Sequence, residues 1–115
     1  MRIGKRIGVI GGLDRNVAAL QAMGAASGHE VRFHTGVMAG PASAAALRAL
    51  VARCELVVVV TDINSHNAVR TARREARQLG RPLKIVRKMG QTQFAALLHD
   101  LTANENAAAT ATAAA

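Results

Sequence analysis

The stretch Leu56-Val57-Val58-Val59-Val60-Thr61-Asp62-Ile63-Asn64-Ser65-His66-Asn67 is an unbroken apolar run that ends abruptly in polar and turn-favouring residues, interrupted only by Ile63. A strand with one wet face would alternate. A uniform run of β-branched side chains instead predicts a strand covered on both faces, the central strand of a parallel sheet. In such sheets ligands sit beyond the carboxyl ends of the strands, so Thr61 to Asn67 falls where chemistry is expected.

Working outward, Lys5 to Ile10 predicts a first strand broken by Gly11-Gly12. A helix follows over Asp14 to Ala26, with Val17, Leu20 and Gly24 on its packing side and Gly28 as its stop. Glu30 to His34 alternates, Val31 and Phe33 pointing one way and Arg32 and His34 the other, as expected of an edge strand. Pro41 is placed to open a second helix running to about Arg53. After the central strand, Asn64 or Ser65 caps a third helix that ends at Gly80-Arg81-Pro82. Leu83 to Arg87 reads as a fourth strand, and Gln91 or Thr92 opens a last helix with Phe94, Leu97, Leu98 and Leu101 on one face. Alternation with short connections and right-handed crossovers predicts an α/β fold. The expected form is a small three-layer, Rossmann-like or flavodoxin-like domain with a four-stranded parallel sheet in the order 2-1-3-4. One domain over 1–102 accounts for the pattern, and the Ala/Thr-rich stretch 103–115 is expected to be a disordered tail.

The chain has 115 residues, of which Phe33 and Phe94 are the only aromatics, so Ala, Val, Leu and Ile must build the core. Cys54 stands alone, which excludes an intrachain disulfide and fits a reducing compartment. The apolar run after the basic start stops at Gly11-Gly12, too soon for a signal peptide, and no stretch reaches membrane-span length. A cytoplasmic protein with no membrane partner is expected. Fifteen Lys and Arg against seven Asp and Glu give +8, which favours an anionic partner. Arg70, Arg73, Arg74, Arg77 and Arg81 recur at helical spacing opposite Val69, Ala72, Ala76 and Leu79. Such a stripe is first of all the solvated face of an amphipathic helix, and nucleic-acid binding through Arg70 to Arg81 is the alternative.

Several familiar sites are excluded by residue type. The glycines after the first strand do not form a dinucleotide fingerprint, no acidic residue ends the second strand to hold a ribose, and no phosphate-loop lysine motif is present. A phosphoacceptor site would need carboxylates after the first strand, where Asp14 alone is near. Cys54 precedes the central strand and lies at the wrong end of the sheet for a nucleophile. What remains is an anion-friendly mouth. Gly11 and Gly12 let the backbone approach a ligand, the starts of the first, third and fourth helices offer amides, and Arg15, Arg87 and Lys88 supply charge. Asp62, Asn64 and Ser65 lie on the central loop. His34 and His66 reach the mouth from different loops, as a pair of metal ligands would, whereas His29 and His99 are expected to be bystanders. No activated nucleophile is visible, so an enzyme relaying protons through Asp62 and His66 ranks below a binding module.

Taken together, Ile10-Gly11-Gly12-Leu13-Asp14-Arg15, His34-Thr35-Gly36, Val60 to Asn67 with its basic helix, and Arg87-Lys88-Met89-Gly90 resemble the small bacterial domain-of-unknown-function family 2325 over roughly positions 5 to 101. The resemblance implies a compact Rossmann-like domain. The residues themselves suggest a non-catalytic module that binds an anionic cofactor at the point where the strand order reverses. Haem suits the histidines, with imidazole on iron and the basic groups on the propionates. A phosphorylated metabolite or nucleotide suits the Gly-Gly turn and the helix starts. Haem would draw its apolar walls from Val37, Met38, Met89 and a second copy of the chain, so a homo-oligomer is expected.

Overall fold

A computed structural model describes residues 5–12, 16–62 and 64–101. Strands β1 (Arg6–Ile10), β2 (Glu30–His34), β3 (Leu56–Val60) and β4 (Leu83–Val86) alternate with helices α1 (Val17–Ala26), α2 (Pro41–Arg53) and α3 (His66–Leu79). A fourth helix, α4, runs over 91–101. The four strands form one parallel sheet in the order β2-β1-β3-β4. The strand and helix boundaries agree with the sequence to within a residue or two, β4 ending at Val86 rather than Arg87. Arg15 and the expected start of the first helix at Asp14 lie outside the described residues, as does the stretch 103–115.

The uniform apolar run is explained by its place. β3 lies between β1 and β4, and all five of its residues are buried. Leu56, Val58 and Val60 face one layer with Leu20 of α1 and Phe94, Leu97 and Leu98 of α4. Val57 and Val59 face the other, with Leu47, Leu50 and Val51 of α2 and Ala68, Ala72 and Ala76 of α3. Each Val, Leu and Phe side chain so enclosed contributes about 1.5–3 kcal/mol relative to exposure. The helices following β1 and β3 therefore lie on opposite faces, and the reversal of strand order falls between those two strands.

At the amino end of the sheet, Gly8 is the close approach of β1 to α2: a Cβ there would run into the Leu50 side chain and lie 3.1 Å from the Cys54 sulfur. His29, a bystander on the sequence reading, is buried, and its Nδ1 accepts the Lys5 amide at 2.9 Å. Cys54 is fully buried, and burial pushes its thiol up from 9.0 to about 11; Arg32 opposes the shift, while Glu55 and Glu30 add to it. The folded thiol thus keeps its proton to higher pH than the unfolded one. Its contribution to stability is complete below pH 9.0 and is lost as pH rises through about 11. The stability difference between wild type and Cys54→Ala should shrink by about 2 kcal/mol between about pH 8 and 11. Denaturation at both ends of that range measures it, and a pH-independent difference would refute the burial argument.

Candidate functional site

The loops beyond the carboxyl ends of the strands build two distinct structures. The first is a hydrogen-bonded clasp. The side-chain amide of Asn64 donates to the carbonyls of Ile10 at 3.1 Å and Val60 at 2.8 Å, tying the ends of β1 and β3 together. Its Oδ1 accepts the Ser65 amide at 2.8 Å. Ser65 is the N-cap of α3: its Oγ accepts from the Ala68 amide at 3.1 Å and donates to the Gly36 carbonyl at 2.8 Å. On its other side the Gly36 amide donates to Nδ1 of His34 at 2.9 Å. That bond places the ring proton on Nε2, which donates to the Ser43 carbonyl at 3.1 Å. Gly11 closes the set, its amide bonded to the His34 carbonyl at 2.8 Å.

The second structure is a cavity of about 260 Å³ lined by Gly12, Asn16, Val60, Asp62, Lys88, Met89, Gly90 and Gln93. It opens over β1, β3 and β4 between the starts of α1 and α4. Asn16 caps α1 without a side-chain hydrogen bond. At α4 the Gln93 side chain reaches back to accept the Gly90 amide at 3.1 Å, and Gly90, having no side chain, leaves the first-turn amides uncapped by its own atoms. Gly12 has φ +94° and brings backbone to the cavity edge beside Val60. Val60 and the buried Met89 form an apolar floor, and the exposed Asp62 and Lys88 place opposite charges at the rim.

Nine of the ten residues selected from the sequence are thereby divided, Arg15 lying outside the described residues. Gly12, Asp62 and Lys88 line the cavity. Gly11, His34, Asn64 and Ser65 belong to the clasp, where their polar atoms are spent on the protein itself. His66 is exposed on the first turn of α3, its ring bonded to no described residue, and Arg87 lies along a groove outside β4 rather than in the cavity. The start of α3, expected to offer its amides to a ligand, is partly satisfied by Ser65. The sequence reading missed Asn16, Gly90 and Gln93. Gly90 and Gln93 stand at the spacing of a capping box but without its Ser, Thr, Asp or Asn, so the sequence carries only half of that signature. Among the described residues no three His, Cys, Asp or Glu side chains gather as a metal ion would require, and no helix is long and apolar enough to cross a membrane.

A parallel α/β sheet with a polar-rimmed cavity at the reversal of strand order defines a Rossmann-like domain, and the site of such a domain lies at that reversal. The chain belongs to the family described as "Uncharacterized protein conserved in bacteria (DUF2325)", whose model matches residues 6–101. Comparisons with curated proteins and with solved structures find no match.

Proposed function

We propose that this protein is a non-catalytic module that binds a small anionic ligand, a phosphorylated metabolite or nucleotide, in the cavity between the starts of α1 and α4. The observation that carries the reading is the convergence of two helix amino termini and Lys88 on one apolar-floored cavity. First-turn amides without a side-chain cap from Asn16 or Gly90 and the positive ends of the helix dipoles favour a phosphate there. Asp62 at the rim suits the hydroxyls of a sugar-like ligand, since a carboxylate accepts what a hydroxyl donates. A volume of about 260 Å³ is at the lower edge of ligand pockets, which run from about 300 Å³ upward, and matches a phosphate with a small organic group.

A second reading, haem, rests on His66. That ring is exposed, and the Ser65–Gly36 bond holds beside the start of α3 a loop carrying Val37, an apolar side chain that is 61% exposed. Haem through His34 fits less well, because ligation would cost that ring one of its two internal hydrogen bonds. Calorimetric titration with inorganic phosphate and with nucleoside monophosphates, on wild type and Lys88→Gln, tests the first reading. Loss of a charge-assisted hydrogen bond should weaken binding roughly tenfold to a hundredfold. The fold should be unaffected, as Lys88 is exposed. Equal affinity in the two proteins rejects the phosphate reading. A Soret band on haem addition that vanishes in His66→Ala would establish the second.

A further inference from the structure

The α2–α3 layer carries an unbalanced field of arginine, away from the cavity. α2 contains no acidic residue, and α3 contains only Glu75, which is partly buried and 3.9 Å from Arg74. Arg70, Arg73, Arg74 and Arg77 are exposed along α3, at steps of about 5 Å from a rise of about 1.5 Å per residue. α2 packs against α3 and adds the exposed Arg48, while Arg81 fastens the two helices by donating to the Ala52 carbonyl at 2.9 Å. Mixed signs would give the same solubility with less repulsion, since like charges three or four positions apart each destabilise a helix by about 0.2–0.5 kcal/mol. Here the repulsion is left nearly uncompensated.

We infer that the α2–α3 face binds the phosphate backbone of double-stranded nucleic acid. This is a second surface, independent of the small-ligand cavity. A polyanion with regularly spaced charges complements a row of guanidinium groups carried on one helix, each able to donate two parallel hydrogen bonds to a phosphate. Single strands are disfavoured because they require aromatic platforms: Phe94 is buried in the opposite layer, and Phe33 packs there too. A membrane surface is disfavoured because the residues between the arginines, such as Ala45, Ala52 and Gln78, offer no bulky apolar group to insert; Leu79 stands at the far end of α3.

Fluorescence anisotropy of a short labelled DNA duplex, titrated with the full chain at several salt concentrations, tests the inference. With about four phosphate contacts the affinity should fall roughly a hundredfold between about 50 and 200 mM salt. Replacing Arg70, Arg73 and Arg77 together by Gln should make the log–log salt slope shallower by about 2.7, at about 0.9 per contact. The control is Lys84→Gln with Arg87→Gln, two exposed cations that line the groove beside α4 on the opposite side of the sheet; it lowers net charge and should leave the slope unchanged. Circular dichroism establishes that each variant is folded. The inference is overturned by no binding at the lowest salt, by an unchanged slope in the triple variant, by equal flattening in the control, or by tighter binding of the single strand.

Discussion

Replacing Asn64 by Asp should destabilise the protein by about 3–6 kcal/mol, a large part of the total for a domain of this size. The amide nitrogen of Asn64 is held between two carbonyl oxygens, those of Ile10 and Val60. A carboxylate keeps the bond from the Ser65 amide but turns an acceptor toward two acceptors. Each carbonyl stranded this way costs about 1–3 kcal/mol, and the repulsion adds to it. The new carboxyl is therefore driven to keep its proton, because a protonated oxygen can still donate to one carbonyl. A group whose folded pKa is raised binds more protons folded than unfolded, so the deficit relative to wild type should shrink on acidification and widen toward neutral pH. Urea unfolding of both proteins at mildly acidic and neutral pH measures this. A deficit below about 1 kcal/mol at neutral pH would mean that Asn64 does not bridge the strand ends.

The fold was legible for a local reason. The run Leu56 to Val60 reports its own two-sided burial, and the alternation of Glu30 to His34 reports an edge, because side-chain direction in a strand repeats every two residues. Pro41, Ser65 and Gly80 marked helix ends through backbone chemistry that needs no distant partner. The cavity was legible in location but only in part by residue. Gly12, Asp62 and Lys88 were found because loops following parallel strands converge on one mouth. His34 and Asn64 looked like ligand donors, yet their polar atoms face the protein's own backbone. A polar loop residue looks the same in sequence whichever it faces. The partner of Asn64 at Ile10 lies 54 positions away, so no local pattern announces it. Gln93 escaped for the converse reason: on a helix it reads as an ordinary exposed position until the cap is traced in space.

Gly36→Ala is expected to be nearly as damaging as the change at Asn64, and the two are not independent. Gly36 has φ +85°, a conformation that costs an alanine about 1–2 kcal/mol. Every other side of the residue is occupied. Its amide is bonded to His34, its carbonyl to Ser65, and a Cβ would run into Oδ1 of Asn64 and lie 2.9 Å from that residue's Cγ. The methyl group cannot be accommodated without moving the side chain that joins β1 to β3, so the steric cost adds the loss of those hydrogen bonds to the backbone strain. The total should reach about 3–5 kcal/mol in an otherwise wild-type chain. In an Asn64→Ala background the obstructing atoms are gone, and Gly36→Ala should cost only its backbone term of about 1–2 kcal/mol. The cycle of single and double variants should therefore close with a coupling of about 1–3 kcal/mol, favourable to the double variant. Equal costs of Gly36→Ala in the two backgrounds would show that the clasp does not transmit strain from the loop after β2 to the end of β3.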